Sequence, residues 1–287
     1  MPDEPGDYAP TNGIRLWYRD EGDADGDPLL LIMGLNSQLI LWPDEFVAAL
    51  GERGFRVIRF DNRDCGLSDK IAGTIQPGGK PAYHLVDMAA DTVGLLDHLG
   101  IQRAHVVGAS MGGMIAQLVA IHHADRVATL CSIMSTTGDR RVGQPTFEAA
   151  LALLEPTPVE REAAIDHIAN IYRIIGSKTH ADTEQPYRRQ SAEASYDRAF
   201  HPQGAKRQFA AIANAVDRTP KLRELDIPTA VIHGVEDSLI NVSGGQATHR
   251  EISGSTYLEL PDMGHDLPRP LWPEVLDTIE ANARKGA

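Results

Sequence analysis

Gly108-Ala-Ser110-Met-Gly112 sets a serine between two glycines in a G-x-S-x-G pentapeptide. The residues before it, Ala104-His105-Val106-Val107, read as a short buried strand, and residues 111–120 read as an apolar helix carrying Gly112 and Gly113. A sharp strand-to-helix turn is the setting in which a serine becomes a nucleophile. It holds the hydroxyl above the strand ends in a strained backbone conformation that small neighbours make tolerable. The N-terminus of the following helix adds a positive field for an oxyanion. A glycine-rich turn of this kind also suits a dinucleotide phosphate, but that fingerprint needs G-x-G-x-x-G and an acidic residue closing the next strand. Gly108-Ala-Ser-Met-Gly112-Gly113 lacks the second of those glycines. Three residues at this spacing arise by chance in roughly one chain in ten of this length, so the partners decide.

A serine hydroxyl is too weak an acid to attack an ester unaided; it needs a base, usually histidine, and the histidine needs an acidic orienter. In strand-ordered hydrolases these follow the chain order Ser, Asp, His. Asp237 follows a strand ending at His233 through Gly234-Val-Glu-Asp237, and His265 follows a strand ending at Leu260 through Pro261-Asp-Met-Gly-His265. Both loops leave the carboxyl ends of expected parallel strands, the edge where an open α/β sheet gathers its site. Asp139 is the alternative acid, with the Gly-x-x-Asp turn favouring Asp237; Glu236 and Asp262 are weaker candidates. His233 reads as a strand-end residue, and His84, His98, His105, His122, His123 and His249 as structural or solvated. The oxyanion hole needs two backbone N–H donors. These are expected from Met111, directly after the serine, and from Leu35, with Gly34 permitting close approach. Gly34, Asn36 and Trp42 are the substrate-binding candidates, core packing being the equal alternative for Trp42.

These loops require a scaffold. Residues 14–18, 29–33, 55–60, 127–134, 229–233 and 256–260 read as strands, and 43–53, 83–99, 243–252 and 270–283 as helices. Strands alternating with helices specify a mostly parallel sheet flanked by helices. Residues 20–28 read as a hairpin turn; their aspartates suggest a calcium loop, but Pro28 stands where glycine is needed. Residues 73–80 resemble a phosphate loop, yet Pro81 replaces the Ser or Thr that must hold magnesium, and no strand precedes it. Residues 135–214 contain no convincing strand, only helical stretches at 146–154, 159–175 and 203–216. The expectation is a helical cap, 135–216, inserted into a core made of 1–134 and 217–287. Its polar linkers, 138–145 and 177–186, are expected to move.

Bulk properties narrow the partners. The chain has 287 residues, 42% of them hydrophobic, and a formal net charge of −13. A core of that size is expected to fold, and the acidic surface repels nucleic acid and anionic membranes. The two cysteines, Cys65 and Cys131, form no C-x-x-C pair and imply neither a disulfide framework nor a metal site. The acidic start lacks the apolar stretch of a signal peptide, and no apolar run spans a bilayer, so a cytoplasmic protein is expected.

Taken together, Leu31-Ile-Met-Gly-Leu35, Phe60-Asp-Asn-Arg-Asp64 with Gly66-Leu-Ser68, Val107-Gly-Ala-Ser-Met-Gly-Gly113, His233-Gly-Val-Glu-Asp237 and Met263-Gly-His265 resemble the α/β-hydrolase family. Met33-Gly34 and Leu41-Trp-Pro-Asp-Glu-Phe46 are similar to bacterial serine esterases of the anthracycline (aclacinomycin) methylesterase type. The family pattern usually has His where this chain has Met33, and glycine where it has Asp64. The resemblance implies an α/β-hydrolase fold with a helical cap and cleavage of a small-molecule carboxylic ester. Ser110, His265 and Asp237 would act through an acyl-enzyme, with no metal or organic cofactor. The same triad serves carbon–carbon bond hydrolases, perhydrolases and acyltransferases, and the scaffold also serves as a ligand receptor. Haloalkane dehalogenases and epoxide hydrolases need Asp at the Ser110 position.

Overall fold

The computed structural model describes residues 4–72 and 80–286. Residues 73–79 of the dismissed phosphate loop lie outside the described residues. The chain opens with a β-hairpin, Asp7–Thr11 (β1) and Ile14–Gly22 (β2), turning at Asn12-Gly13 with Gly13 at φ 80°. Asn-Gly is the sequence signature of this two-residue turn. The expected hairpin at 20–28 is not formed. β2 runs on to Gly22, and Asp27–Ile32 (β3) does not pair with it, because Phe55–Phe60 (β4) lies between them, antiparallel to β2 and parallel to β3.

Asp44–Gly51 (α1) links β3 to β4, and Leu85–His98 (α2) leads into Ala104–Ala109 (β5). Met111–His122 (α3) precedes Val127–Ile133 (β6). Four helices follow without an intervening strand: Phe147–Leu154 (α4), Arg161–Ile175 (α5), Ala181–Arg198 (α6) and Pro202–Ala213 (α7). Thr219–Leu222 (α8), Thr229–Gly234 (β7), Ser243–Glu251 (α9), Thr256–Leu260 (β8) and Trp272–Ala283 (α10) complete the chain. The eight-stranded sheet has the order β1-β2-β4-β3-β5-β6-β7-β8, parallel from β4 to β8.

Every residue of β5, β6 and β7 is buried, as in a strand covered on both faces. Leu85, Met88, Leu95 and Leu96 of α2 and Ile115 and Val119 of α3 pack on one face of the sheet. Phe46, Val47 and Leu50 of α1 and Val275, Leu276 and Ile279 of α10 cover the other. The strand ends that hold the candidate residues are therefore anchored from both sides.

The stretch 177–186 is not a loose linker. Ser177 is fully buried, and α6 begins at Ala181 and contains Pro186. An interior proline removes a helical hydrogen bond and normally ends a helix. α6 persists while burying Glu184, Arg188 and Ala192, two of which are charged. A helix held by polar contacts leaves no apolar stripe in the sequence, which is why periodicity missed it.

Candidate active site

Ser110 is the single residue between β5 and α3, at φ 57° and ψ −120°. That left-handed conformation is strained for a non-glycine residue and is held from both sides. Its N–H donates to the Ile133 carbonyl (2.9 Å), and its carbonyl accepts from the Ser135 hydroxyl (2.9 Å) and the Gly113 N–H (2.9 Å). The flanking glycines serve close approach. A Cβ on Gly108 would stand 2.2 Å from the Gly112 carbonyl oxygen, and one on Gly112 would stand 2.1 Å from that of Ile32. The first turn of α3 thus packs directly on β5 and β3.

The Ser110 side chain does not cap α3; its Oγ lies 2.9 Å from His265 Nε2. His265 Nδ1 lies 2.7 Å from Asp237 Oδ2. A neutral imidazole fits this arrangement with Nδ1–H donating to the carboxylate and Nε2 accepting from the hydroxyl. Asp237 Oδ1 accepts the N–H groups of Leu239 (2.9 Å) and Ile240 (2.8 Å). Burial pushes the Asp237 carboxyl up, but electrostatic attraction to His265 and hydrogen bonds from His233 and His265 outweigh it and leave the group at about 2. The sheet therefore brings together the three residues expected from their spacing.

Other candidates fall elsewhere. Asp139 is gripped by the exposed Arg141 guanidinium (2.9 and 2.7 Å), which pulls its carboxyl down to about 2. Glu236 accepts from the N–H groups of Lys178 (2.6 Å) and Thr179 (3.1 Å), while the Asp262 carbonyl accepts from the Ser177 hydroxyl (2.6 Å). His233, read as a strand-end residue and a minor rival for the base, is fully buried against the acid: Nε2–H donates to the Ile240 carbonyl (2.7 Å) and lies 3.4 Å from Asp237 Oδ2. Its position four residues before Asp237, across the Gly234 turn, was the available signal. Asp266, next to the histidine, also escaped notice; it accepts the Ser177 N–H (2.9 Å) and Arg188 (2.7 Å).

Of the two donors expected for an oxyanion, Met111 opens α3, so its N–H has no intrahelical acceptor. Gly34 lies against the serine: a Cβ there would stand 3.1 Å from Ser110 Cβ and 3.5 Å from Oγ. Leu35 is half-buried beside it and Asn36 is exposed. Trp42 is a correction. It is fully buried and stacked on Phe46 (5.7 Å between centroids), so core packing, not substrate contact, explains it. The loop bearing Met33 is braced by Asn62, whose Nδ2 donates to the Met33 carbonyl (2.9 Å).

A family model described as the alpha/beta hydrolase fold matches residues 27–268. The chain belongs to that family. This α/β hydrolase is 27% identical to the rhodomycin D methylesterase DnrP of Streptomyces peucetius, over 94% of this chain and 95% of that one. It is similar to the enol-lactonase structure from Burkholderia xenovorans LB400, with 25% identity, a TM-score of 0.79, and coverage of 97% of this chain and 100% of that one. A thermophilic esterase from Thermogutta terrifontis is 26% identical at a TM-score of 0.74, covering 99% of both chains. Among the described residues of the hydrolase, no cluster of three or more His, Cys, Asp or Glu suits a metal ion, and no helix is long and apolar enough to cross a membrane.

Proposed function

We propose that this α/β hydrolase cleaves a small-molecule carboxylic ester through an acyl-enzyme. Ser110 Oγ attacks the ester carbonyl while His265 Nε2 takes the hydroxyl proton. The N–H groups of Met111 and Leu35 hold the oxyanion. Asp237 fixes the imidazole tautomer and stabilises the imidazolium. The intermediate collapses, the alcohol leaves with the proton from His265, and Ser110 carries the acyl group. Water, deprotonated by His265, then releases the acid and restores the serine. Neither a metal nor an organic cofactor takes part in these steps.

One observation carries the reading: a strained serine, an imidazole and a depressed carboxylate from three distant segments stand in relay at 2.9 and 2.7 Å. The methylesterase and esterase relatives support the ester class and make methyl esters the first substrates to assay. Residues 135–216 are read as a cap over a core of 1–134 and 217–287. The support is that Glu236 and Asp266, neighbours of the acid and the base, both hold the turn between α5 and α6.

The test is an ester panel of graded acyl length with the wild type and Ser110→Ala, beside labelling with a fluorophosphonate. The reading expects the label on Ser110 and turnover reduced by about 10⁴-fold or more in the variant. A label on another residue, or an active Ser110→Ala protein, overturns it.

A further inference from the structure

The turn bearing the proposed Leu35 donor is held by the helical segment as well as by the core. Gly34-Leu35-Asn36-Ser37 closes with the Ser37 N–H donating to the Gly34 carbonyl (3.3 Å). Asn36, third in the turn, has φ 55°, and Leu35 has no positive φ, which is the type II pattern. The peptide between Leu35 and Asn36 therefore projects out of the turn, and its N–H donates to Gln208 Oε1 at 2.7 Å. Gln208 lies on α7 and is fully buried. Its Nε2 donates to the Arg63 carbonyl at 2.8 Å. One side chain thus bridges the turn after β3 and the loop after β4.

Neighbouring contacts reinforce the bridge. Arg207 makes a two-pronged pair with Asp64 (2.8 Å each). Gln38 donates to the carbonyls of Ser195 (2.6 Å) and Ala199 (2.9 Å) at the end of α6.

We propose that Gln208 is a positioning residue for the oxyanion hole, so that seating α7 on the core sets the place of the Leu35 N–H. This rests on the ester-hydrolase reading above. Type I and type II turns differ by a flip of the central peptide, and the Gln208 carbonyl selects the type II orientation by accepting the Asn36 N–H. A left-handed non-glycine residue persists only where its surroundings hold it. Without Gln208, the Asn36 N–H and the Arg63 carbonyl both lose their partner, and the turn relaxes. An oxyanion donor works only within about half an ångström of its proper place.

The experiment compares Gln208→Leu and Gln208→Glu with the wild type, with kcat expressed per site titrated by fluorophosphonate, so that unfolded protein is not counted. Deleting an oxyanion donor slows turnover about 10²- to 10³-fold. Displacing one should lower kcat about 10- to 100-fold in Gln208→Leu, with KM changed less than about threefold. Gln208→Glu keeps an acceptor for the Asn36 N–H and should recover a substantial part of kcat. Wild-type kcat per site in Gln208→Leu, or a loss confined to KM, overturns the inference. If Gln208→Leu does not fold, Gln208→Asn takes its place: one carbon shorter, it cannot span both partners, and a wild-type kcat again contradicts the role. A wild type without ester turnover or Ser110 labelling defeats the ester reading itself, a result separate from any Gln208 effect.

Discussion

At the site, two substitutions separate geometry from chemistry. Gly34 lies so close to Ser110 that a valine there would push its methyl groups against the serine hydroxyl, where the proposed oxyanion would form. Gly34→Val is expected to lower turnover about 10²- to 10³-fold while the protein stays folded, as read by kinetics beside circular dichroism. Near-normal turnover in the folded variant removes the Gly34–Leu35 turn from the hole. The second test concerns Asp237, whose carboxyl lies at about 2, below its ordinary value. A depressed carboxyl stabilises the fold above its unfolded value of about 4 and loses that contribution as pH falls through about 2. Urea unfolding should therefore find Asp237→Asn less stable than the wild type by about 2 kcal/mol at neutral pH, with the gap closing towards pH ~2. A gap that does not change with pH contradicts this. The three relay residues were legible because Ser110 stands between two glycines directly after a strand, and Asp237 and His265 each follow a strand through a short glycine-containing loop. Gln208 and His233 were not, because a buried amide or imidazole declares its role only through the partner that the fold supplies.

Among the elements, the junction of β5, α3 and β3 is the tightest part of the site. Gly112→Ala would put a methyl group against the Ile32 carbonyl, backbone on backbone. It is expected to destabilise the protein by about 2–3 kcal/mol and to lower turnover with it, measured by thermal unfolding and an ester assay. Unchanged stability would mean that β3 and α3 are less closely packed. The parallel strands were legible because burial on both faces makes them continuous apolar runs. The N-terminal hairpin was placed wrongly because the Asp-rich stretch 20–28 drew the turn away from Asn12-Gly13. α6 was missed because Pro186 and a polar sequence hide a helix whose buried groups are mainly charged.

Across the whole molecule, the helical segment is tied to both sides of the candidate site. On the acid and base side, the His265 N–H donates to the Ile175 carbonyl (2.8 Å), and Asp266 and Glu236 hold Ser177 to Thr179. On the side of the proposed oxyanion donors, Arg198 meets Asp61 (2.7 Å) and Arg207 meets Asp64. Asp64 stands at φ 66°, where glycine is the favoured residue. Burial opposes its ionisation, yet the Arg207 guanidinium and the Ile71 N–H hold its carboxyl below the ordinary value. Arg207→Met leaves a buried carboxylate without its guanidinium and is expected to cost about 3–5 kcal/mol. Adding Asp64→Gly removes that charge and relieves the left-handed strain. The double variant should then be more stable than Arg207→Met alone in chemical denaturation. A double variant less stable than Arg207→Met would mean that Asp64 supports the loop independently of the pair.

The central claim is that Ser110 carries the acyl group between two half-reactions. Rapid quenching during turnover of a slowly deacylating ester, followed by peptide mass spectrometry, addresses it directly. The account predicts a mass increase equal to the acyl group on the peptide containing Ser110, absent from Ser110→Ala. Steady ester turnover with no acylated peptide, or with the acyl group on a different residue, would contradict it.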